Sequence, residues 1–413
     1  MIRIVESSAA AGLLRRRAAR MSTAEQIVRP ILEAVRQRGD KALLEYARRF
    51  DHLARESVAI PQAELDAAAG RLSPQFRRAV RTSVKNVRAF ARLQLPAAKK
   101  LQPAPGLKLS QIVRPLESVA AYIPAGRYPL PSTVIMTVVP AQVAGVANIM
   151  LATPRAVDEI LGVASMLKAT HVFEMGGAQA IAAFAYGTKT VPRADRIVGP
   201  GNIYVAAAKK LLAGEVGIDF VAGPTEILII ASEGDPRWLA ADMLAQAEHD
   251  AAASAILLTH SRTLAAAVAA EIETQLATLP TAPTARAAIQ RNSAIILVRS
   301  DEEAVELANR FAPEHLSLHD AALLPGIRHA GSVFLGATSP EAAGDYASGP
   351  NHVLPTSGAS RLRGGLSAAD YVKLISVQEL SPKALEKLAP AITTLARAEG
   401  LEAHARSVEV RRG

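Results

Sequence analysis

The sequence predicts an α/β protein: two Rossmann-like doubly wound units, an α-helical N-terminal lead-in and a small helical C-terminal tail domain. Three observations predict it. Between residues 119 and 212, short apolar runs end in Gly/Pro turns and alternate with Ala-rich helical stretches, the pattern of a parallel sheet with crossover helices. The same rhythm resumes at 227 and continues to 312. A chain of 413 residues also exceeds one ordinary core, so two or more domains are expected.

In the N-terminal arm, residues 1–21, the arginines follow the apolar stretch instead of preceding it. That is the wrong order for a secretory signal, and a cytoplasmic setting is expected. Ser22 and Glu25 form an S-x-x-E capping box ahead of a helix. Ile27, Ile31, Leu32 and Val35 give that helix one apolar face, Gly39 ends it, and Pro30 predicts a break or kink. Helices follow at 41–49, 62–71 and 74–93, then a Pro-rich link at 96–105.

In the first unit, strands are predicted at 119–123, 147–152, 171–175 and 196–198. They end at Pro124-Ala125-Gly126, Thr153-Pro154, Gly176-Gly177 and Gly199-Pro200-Gly201. Helices are predicted at 132–143, 157–167, 178–186 and 204–212. No G-x-G-x-x-G is present, so the standard dinucleotide fingerprint is absent. Turns at strand ends are where doubly wound sheets bind ligands; each also serves as an ordinary tight turn or helix cap. The second unit has predicted strands at 227–231, 255–259 and 293–298, with helices at 238–249, 262–276 and 302–312. Residues 332–352 break the rhythm with Gly, Ser and Pro, an irregular segment of the functional kind. After Asp370 the chain reads as helical and charged through 383–399, ending in a tail with His404.

Composition removes several function classes. There are no cysteines, so disulfides, thiolate metal sites and cysteine nucleophiles are excluded. No apolar run reaches membrane-spanning length. The net charge of +9 is spread along the chain, with arginine-rich clusters only at 15–17, 77–92 and 411–412. These read as solvated helix faces. With 4% aromatic residues the chain lacks stacking platforms for single strands, so neither nucleic acid nor membrane is an expected partner. A mildly basic protein suits an anionic cofactor or substrate.

Polar groups beyond the needs of packing collect in four stretches: Gln246–His249, Ala312–His315, Gly344–His352 and Glu399–His404. Gln246 and His249, three apart on a predicted helix, share a face and suit a divalent metal; a surface or core role suits them as well. Glu314 reads equally as a helix-opening carboxylate, Asp345 as a turn residue and His404 as a surface residue.

Taken together, these stretches are specific. VRPILEAVRQRGDKALLEYARRFD, AAYIPAGRYPLPSTV, MGGAQAIAAFAYGT, VGPGNIYV, AGPTEILII, ADMLAQAEHD, APEHLSL, GSVFLG and SPEAAGDYASGPNHVLPT occur in this order, and the chain from about Val28 to His404 resembles the histidinol dehydrogenase family. The resemblance implies a zinc- and NAD-dependent enzyme that oxidises L-histidinol through L-histidinal to L-histidine with two NAD. It implies zinc ligands at Gln246, His249, Asp345 and His404, and an acid–base pair at Glu314 and His315. Cofactor contacts fall on Tyr122, Gln179 and Asn202. Substrate contacts fall on Thr225, His315, Glu399 and the zinc ligands, with His352 as a pocket residue. It further implies a homodimer with shared sites, the tail carrying Glu399 and His404 into the partner. The corresponding domains are 22–121 plus 227–367 for most zinc and catalytic residues, 122–226 as an inserted NAD-binding domain, and 368–413 as the tail. Thr225 stands where the family generally has Ser, Ala125 where it has Gly, and 153–167 is shorter than usual. A related zinc- and NAD-dependent polyol dehydrogenase, acting for example on a sulfonated diol, is the alternative reading.

Overall fold

The computed structural model describes residues 1–12, 19–125 and 128–411; the arginines at 15–17, Gly126 and Arg412 lie outside them. The chain opens with strand β1 (Arg3–Glu6) and helices α1 (Ala19–Arg38), α2 (Asp40–Phe50), α3 (Gln62–Arg71) and α4 (Pro74–Gln94), followed by strands β2 (Lys99–Ala104) and β3 (Leu107–Pro115). The first alternating unit is β4 (Ser118–Tyr122), α5 (Pro131–Ala144), β5 (Asn148–Thr153), α6 (Asp158–Met166), β6 (His171–Glu174), α7 (Gly177–Tyr186), β7 (Arg196–Val198), α8 (Ile203–Leu212) and β8 (Gly217–Ile218). The second is β9 (Glu226–Ile230), α9 (Pro236–Ala247), β10 (Ser254–Thr259), α10 (Arg262–Leu276), α11 (Ala282–Asn292), β11 (Ala294–Leu297), α12 (Asp301–Phe311), β12 (His315–Leu318), β13 (Ser332–Leu335) and α13 (Glu341–Tyr346). The tail is β14 (Val372–Leu380), α14 (Pro382–Ala398) and α15 (Glu402–Glu409).

The first unit's sheet runs β6-β5-β4-β7-β8 and the second's β1-β11-β10-β9-β12-β13, both parallel throughout. Leaving β1 aside, both have the order 3-2-1-4-5, with the switch beside the first strand of each unit. Both faces of the first sheet are covered, as an all-parallel sheet requires. Val119, Ala121, Ile149 and Leu151 face one apolar cluster, and Ala120, Tyr122, Met150 and Ala152 the other. The lead-in helices supply part of that cover: α1 packs on α7 and α8, α3 on α6 and α4 on α5.

Several sequence expectations change. α1 begins at Ala19, upstream of Ser22, so Ser22 does not cap it. Pro30 lies inside α1 without ending it, on the exposed side, where a carbonyl freed from its ladder is reached by water. Ala24, Val28, Leu32 and Val35 form the buried stripe, and Ile27 is half exposed. The Pro-rich link contains β2, and the tail begins with β14 instead of a helix. Together with β3 they form an antiparallel sheet of order β14-β3-β2. The β14–β3 pairing joins segments some 265 residues apart, so no local pattern announces β14. The segment 332–352 is not irregular throughout: it holds β13, paired to β12, and α13.

Candidate active site

The polar stretches converge at the amino ends of β9 and β12. These neighbouring parallel strands pair His315 with Ile227, which sets Thr225-Glu226 beside Glu314-His315. Helix α9 returns antiparallel to β9, so its last turn brings Gln246 back to the same edge. The short α13 contributes Glu341 and Asp345, four apart and therefore on one helical face.

His315 is buried. Its Nδ1 lies 3.2 Å from the Glu226 carbonyl oxygen, which assigns the proton to Nδ1 and leaves Nε2 with a free lone pair. Nε2 is buried without a hydrogen-bond partner and lies 3.8 Å from Asp345 Oδ1. Burial pushes the imidazole down to about 4, so it is a neutral base at pH 7. The Glu314 Oε2 accepts from the Thr225 hydroxyl at 2.7 Å and the Glu226 amide at 2.9 Å, yet burial holds the carboxyl well above its usual range. Glu341 Oε1 is 3.4 Å from His315 Nδ1. Burial also raises the Glu341 carboxyl well above its usual range, reinforced by Asp345, Glu314 and Asp242.

The Gln246 amide lies between Thr225 and Glu341. The orientation that pairs its nitrogen with Glu341, 2.9 Å from Oε2, turns its oxygen to the Glu226 amide at 3.2 Å. Ligation through that oxygen therefore requires the side chain to rotate. His352 Nδ1 lies 2.9 Å from the Asp345 carbonyl oxygen and Nε2 3.2 Å from the Thr133 hydroxyl. It thus ties the Asp345 loop to α5.

A cleft of about 720 Å³ adjoins this cluster, and His249 and Asp250 are among its lining residues. Its other walls include the turns that follow β4, β5, β6 and β7, at Pro124, Pro154, Gly177 and Pro200–Asn202. This is the carboxyl edge of the first sheet at the β4/β7 switch, where doubly wound sheets take their ligands. The buried Tyr122 hydroxyl accepts from the Gly177 amide at 3.2 Å, and burial pushes its pKa up to about 12. The buried Gln179 donates to Asp51 Oδ2 at 2.9 Å. Asn202 caps α8, its Oδ1 accepting from the Tyr204 and Val205 amides, while its residue stays exposed. Gly199 has φ +101°, and a Cβ there would sit 2.3 Å from the Tyr122 carbonyl oxygen, so only glycine fits the turn.

The structure thus gathers Thr225, Gln246, Glu314, His315 and Asp345, with His352 behind Asp345, and separately gathers Tyr122, Gln179 and Asn202. His249 lies just past the end of α9, exposed, instead of within the helix; its charge nonetheless acts on His315 and His352. Glu399 and His404 are exposed at the ends of α14 and α15. Among the described residues, no hydrogen bond or ion pair joins their side chains to the cluster. Sequence reasoning missed Glu341, which with His315 and Asp345 presents ligand atoms all within 4.8 Å of one another. The P-E-x-x-x-D spacing at 340–345 was its available signal. It also missed Asp51, and Asp242 one turn before Gln246.

The donor set fits a metal. A buried imidazole nitrogen without a partner and several buried carboxylates short of positive charge are a cost that a divalent cation relieves.

Comparison with known proteins gives the family to which the chain is similar. A family model described as histidinol dehydrogenase matches residues 14–412. The chain is 49% identical over 395 residues to the histidinol dehydrogenase of Thermus thermophilus, covering 94% of this chain and 95% of that one. It is 46% identical over 395 residues to that of Rhizobium meliloti, covering 93% and 91%. The crystal structure of histidinol dehydrogenase from Elizabethkingia anophelis matches with a TM-score of 0.94 at 36% identity, covering 99% of this chain and 98% of that one.

Proposed function

The chain belongs to the histidinol dehydrogenase family, and from that premise we propose how its residues divide the work. The protein is an oxidoreductase of histidine biosynthesis acting on histidinol. The relatives carry the histidinol name, and the sulfonated-diol alternative is not favoured. The observation that carries the proposal is the free, buried Nε2 of His315 beside Glu314, Glu341 and Asp345.

In this proposal zinc is held by Gln246, His249 and Asp345 and by His404 of the partner subunit, and NAD occupies the cleft at Tyr122, Gln179 and Asn202. When bound, zinc supplies positioning and Lewis acidity, and NAD supplies the hydride acceptor. The surplus of buried carboxylates also suits the ammonium group of histidinol, since a buried negative charge requires a counter-charge. Thr225 and His352 shape the pocket.

His315 Nε2 takes the proton of the alcohol as it becomes the aldehyde, its tautomer fixed by the Glu226 carbonyl. With no cysteine to form a thiohemiacetal, the aldehyde must add water before the second oxidation. Glu314 is assigned the proton of that water, His315 returns its proton to the carbonyl oxygen to complete the hydrate, and, neutral again, it takes a proton of the hydrate as the second hydride leaves for the second NAD.

The proposed assembly is a homodimer that brings Glu399 and His404 of the partner subunit to each site. Both residues are exposed in the single chain, and so are Leu374, Ile375, Val377, Leu395, Leu401 and Val410 of the same tail, an apolar surface a second copy would cover. The proposed setting is cytoplasmic; among the described residues no helix is long and apolar enough to cross a membrane.

Glu314→Gln tests the division of labour. Rates are measured with histidinol and with histidinal supplied directly. The variant is expected to lose aldehyde oxidation about tenfold or more beyond its loss of alcohol oxidation, within the range of a general base. Equal losses in both steps would remove the water-activating role.

A further inference from the structure

The cofactor assignment uses neither of the two acidic residues that line the cleft, Asp51 and Asp250, and Asp51 is the one placed at a helix terminus. Asp51, the C-cap of α2, is half-buried and lines the cleft beside Phe50, Ile27, Gly177 and Gln179. Its Oδ2 accepts from the Gly176 amide at 2.8 Å and from Gln179 Nε2 at 2.9 Å. Its Oδ1 has no hydrogen-bond partner among the described residues. The carboxylate thus sits at the amino end of α7, where an open helix terminus would otherwise receive a phosphate. The neighbouring α8 terminus is closed in the same way by Asn202. Two of the helix termini that face the cleft, those of α7 and α8, are therefore filled by the chain itself, and one of them has become negative.

We propose that Asp51 accepts a hydrogen bond from the ribose diol next to the adenine of NAD and excludes a 2′-phosphate, making the cleft selective for NAD over NADP. This rests on reading the cleft as the NAD site. The apolar side chains of Ile27, Ile31 and Phe50 beside Asp51 suit an adenine ring. His249 and Asp250 belong to the other unit and connect the cleft to the catalytic cluster, so the nicotinamide end points there. Arg55, the cation bound to the neighbouring Glu174, is already neutralised by two carboxylates: it pairs with Glu64 at 2.8 Å and with Glu174 at 2.9 Å. Gln179, fixed as a donor to Asp51, keeps its carbonyl oxygen as a second acceptor for the diol.

Calorimetric titration of the whole protein with NAD and NADP tests this without turnover. The unaltered chain should bind NAD at least about tenfold more tightly than NADP, since like charges juxtaposed in a site cost several kcal/mol. It should prefer ADP-ribose over its 2′-phosphate by a similar factor, a comparison that needs no variant. Asp51→Asn keeps the shape and the acceptor for Gly176, and should narrow the NAD/NADP ratio about tenfold, chiefly by tighter NADP binding. Asn202→Ser, which preserves the helix cap, controls for the site. If it weakens NAD binding while Asp51→Asn leaves the ratio within about twofold, the role of Asp51 falls alone. If it leaves NAD binding unchanged, the cleft reading falls and the selectivity falls with it. Equal affinity of the unaltered chain for NAD and NADP, which Arg49 stacked on Phe50 would be placed to provide, overturns the proposal outright.

Discussion

The cofactor cleft and the catalytic cluster are built by opposite means. The cleft lies at the carboxyl edge of its sheet, and its walls are largely main-chain turns that follow successive strands. The buried charge pair that supports it is matched: Lys209 is paired with Asp219, which also receives the Gly199 and Phe220 amides. The cluster lies at the amino edge of its sheet and is made of side chains from four separate segments. Its charges are not matched. Glu314, Glu341 and Asp242 are held above their usual range mainly by burial, and His315 Nε2 has no partner. One region pairs its buried charges within the chain; the other keeps carboxylates raised by burial and an imidazole nitrogen without a partner.

Removing the base gives the largest expected effect and the sharpest separation of the two regions. His315→Ala should lower turnover roughly a thousandfold, yet leave NAD affinity and zinc content as they were, because the proposed role of Nε2 is proton transfer and His315 does not line the cleft. Full activity would overturn the base assignment. Loss of zinc, read by metal analysis of the purified variant, would make His315 a ligand with Asp345 and Glu341.

The same contrast explains what was legible in the sequence. The cleft announced itself because its parts are local: Gly176-Gly177 and Gly199-Pro200-Gly201 each close a strand and open a helix, and strand-end turns are where such sheets bind. The helices of the lead-in were readable too, since Pro74–Gln94 opens on Ser73 as its N-cap with Pro at its first position. Residues of the cluster were recognised as chemistry-bearing, but their convergence rests on the register of β9 with β12 and on the return of α9, which no local window contains. Glu341 was hidden because 332–352 read as irregular, and α13 has only six residues. β14 was hidden because its partner β3 lies far back in the chain. Glu399 and His404 are exposed in the single chain, and the place proposed for them, in the site of a second copy, is not encoded in any local pattern.

If the cleft is a matched surface, breaking one of its pairs should be costly. Lys209 and Asp219 are both buried, so Asp219→Asn leaves an ammonium without a counter-charge at the base of the Gly199 turn. A stability loss of about 3–5 kcal/mol is expected, seen as a lower denaturation midpoint, together with weaker NAD binding. An unchanged midpoint would mean that the pair is dispensable and the turn is held by packing alone.

The cluster should respond with the opposite sign. Burial pushes the Asp242 carboxyl up to about 6, above its unfolded value of about 3.9. The folded protein therefore binds the extra proton between these limits. The penalty is absent below about pH 4, grows as pH rises, and is full above about pH 6. Asp242→Asn removes the charge at nearly constant shape, so the zinc-free protein should gain about 2 kcal/mol at neutral pH, discounted for partial solvent access. That gain should fade towards about pH 4. Thermal melts of both proteins across this range measure it. A gain independent of pH would point to packing, and a loss of stability at neutral pH would mean that Asp242 has a cation of its own. Either result would break the distinction between a matched cleft and an unmatched cluster, because it rests on carboxylates such as this one being left without a partner.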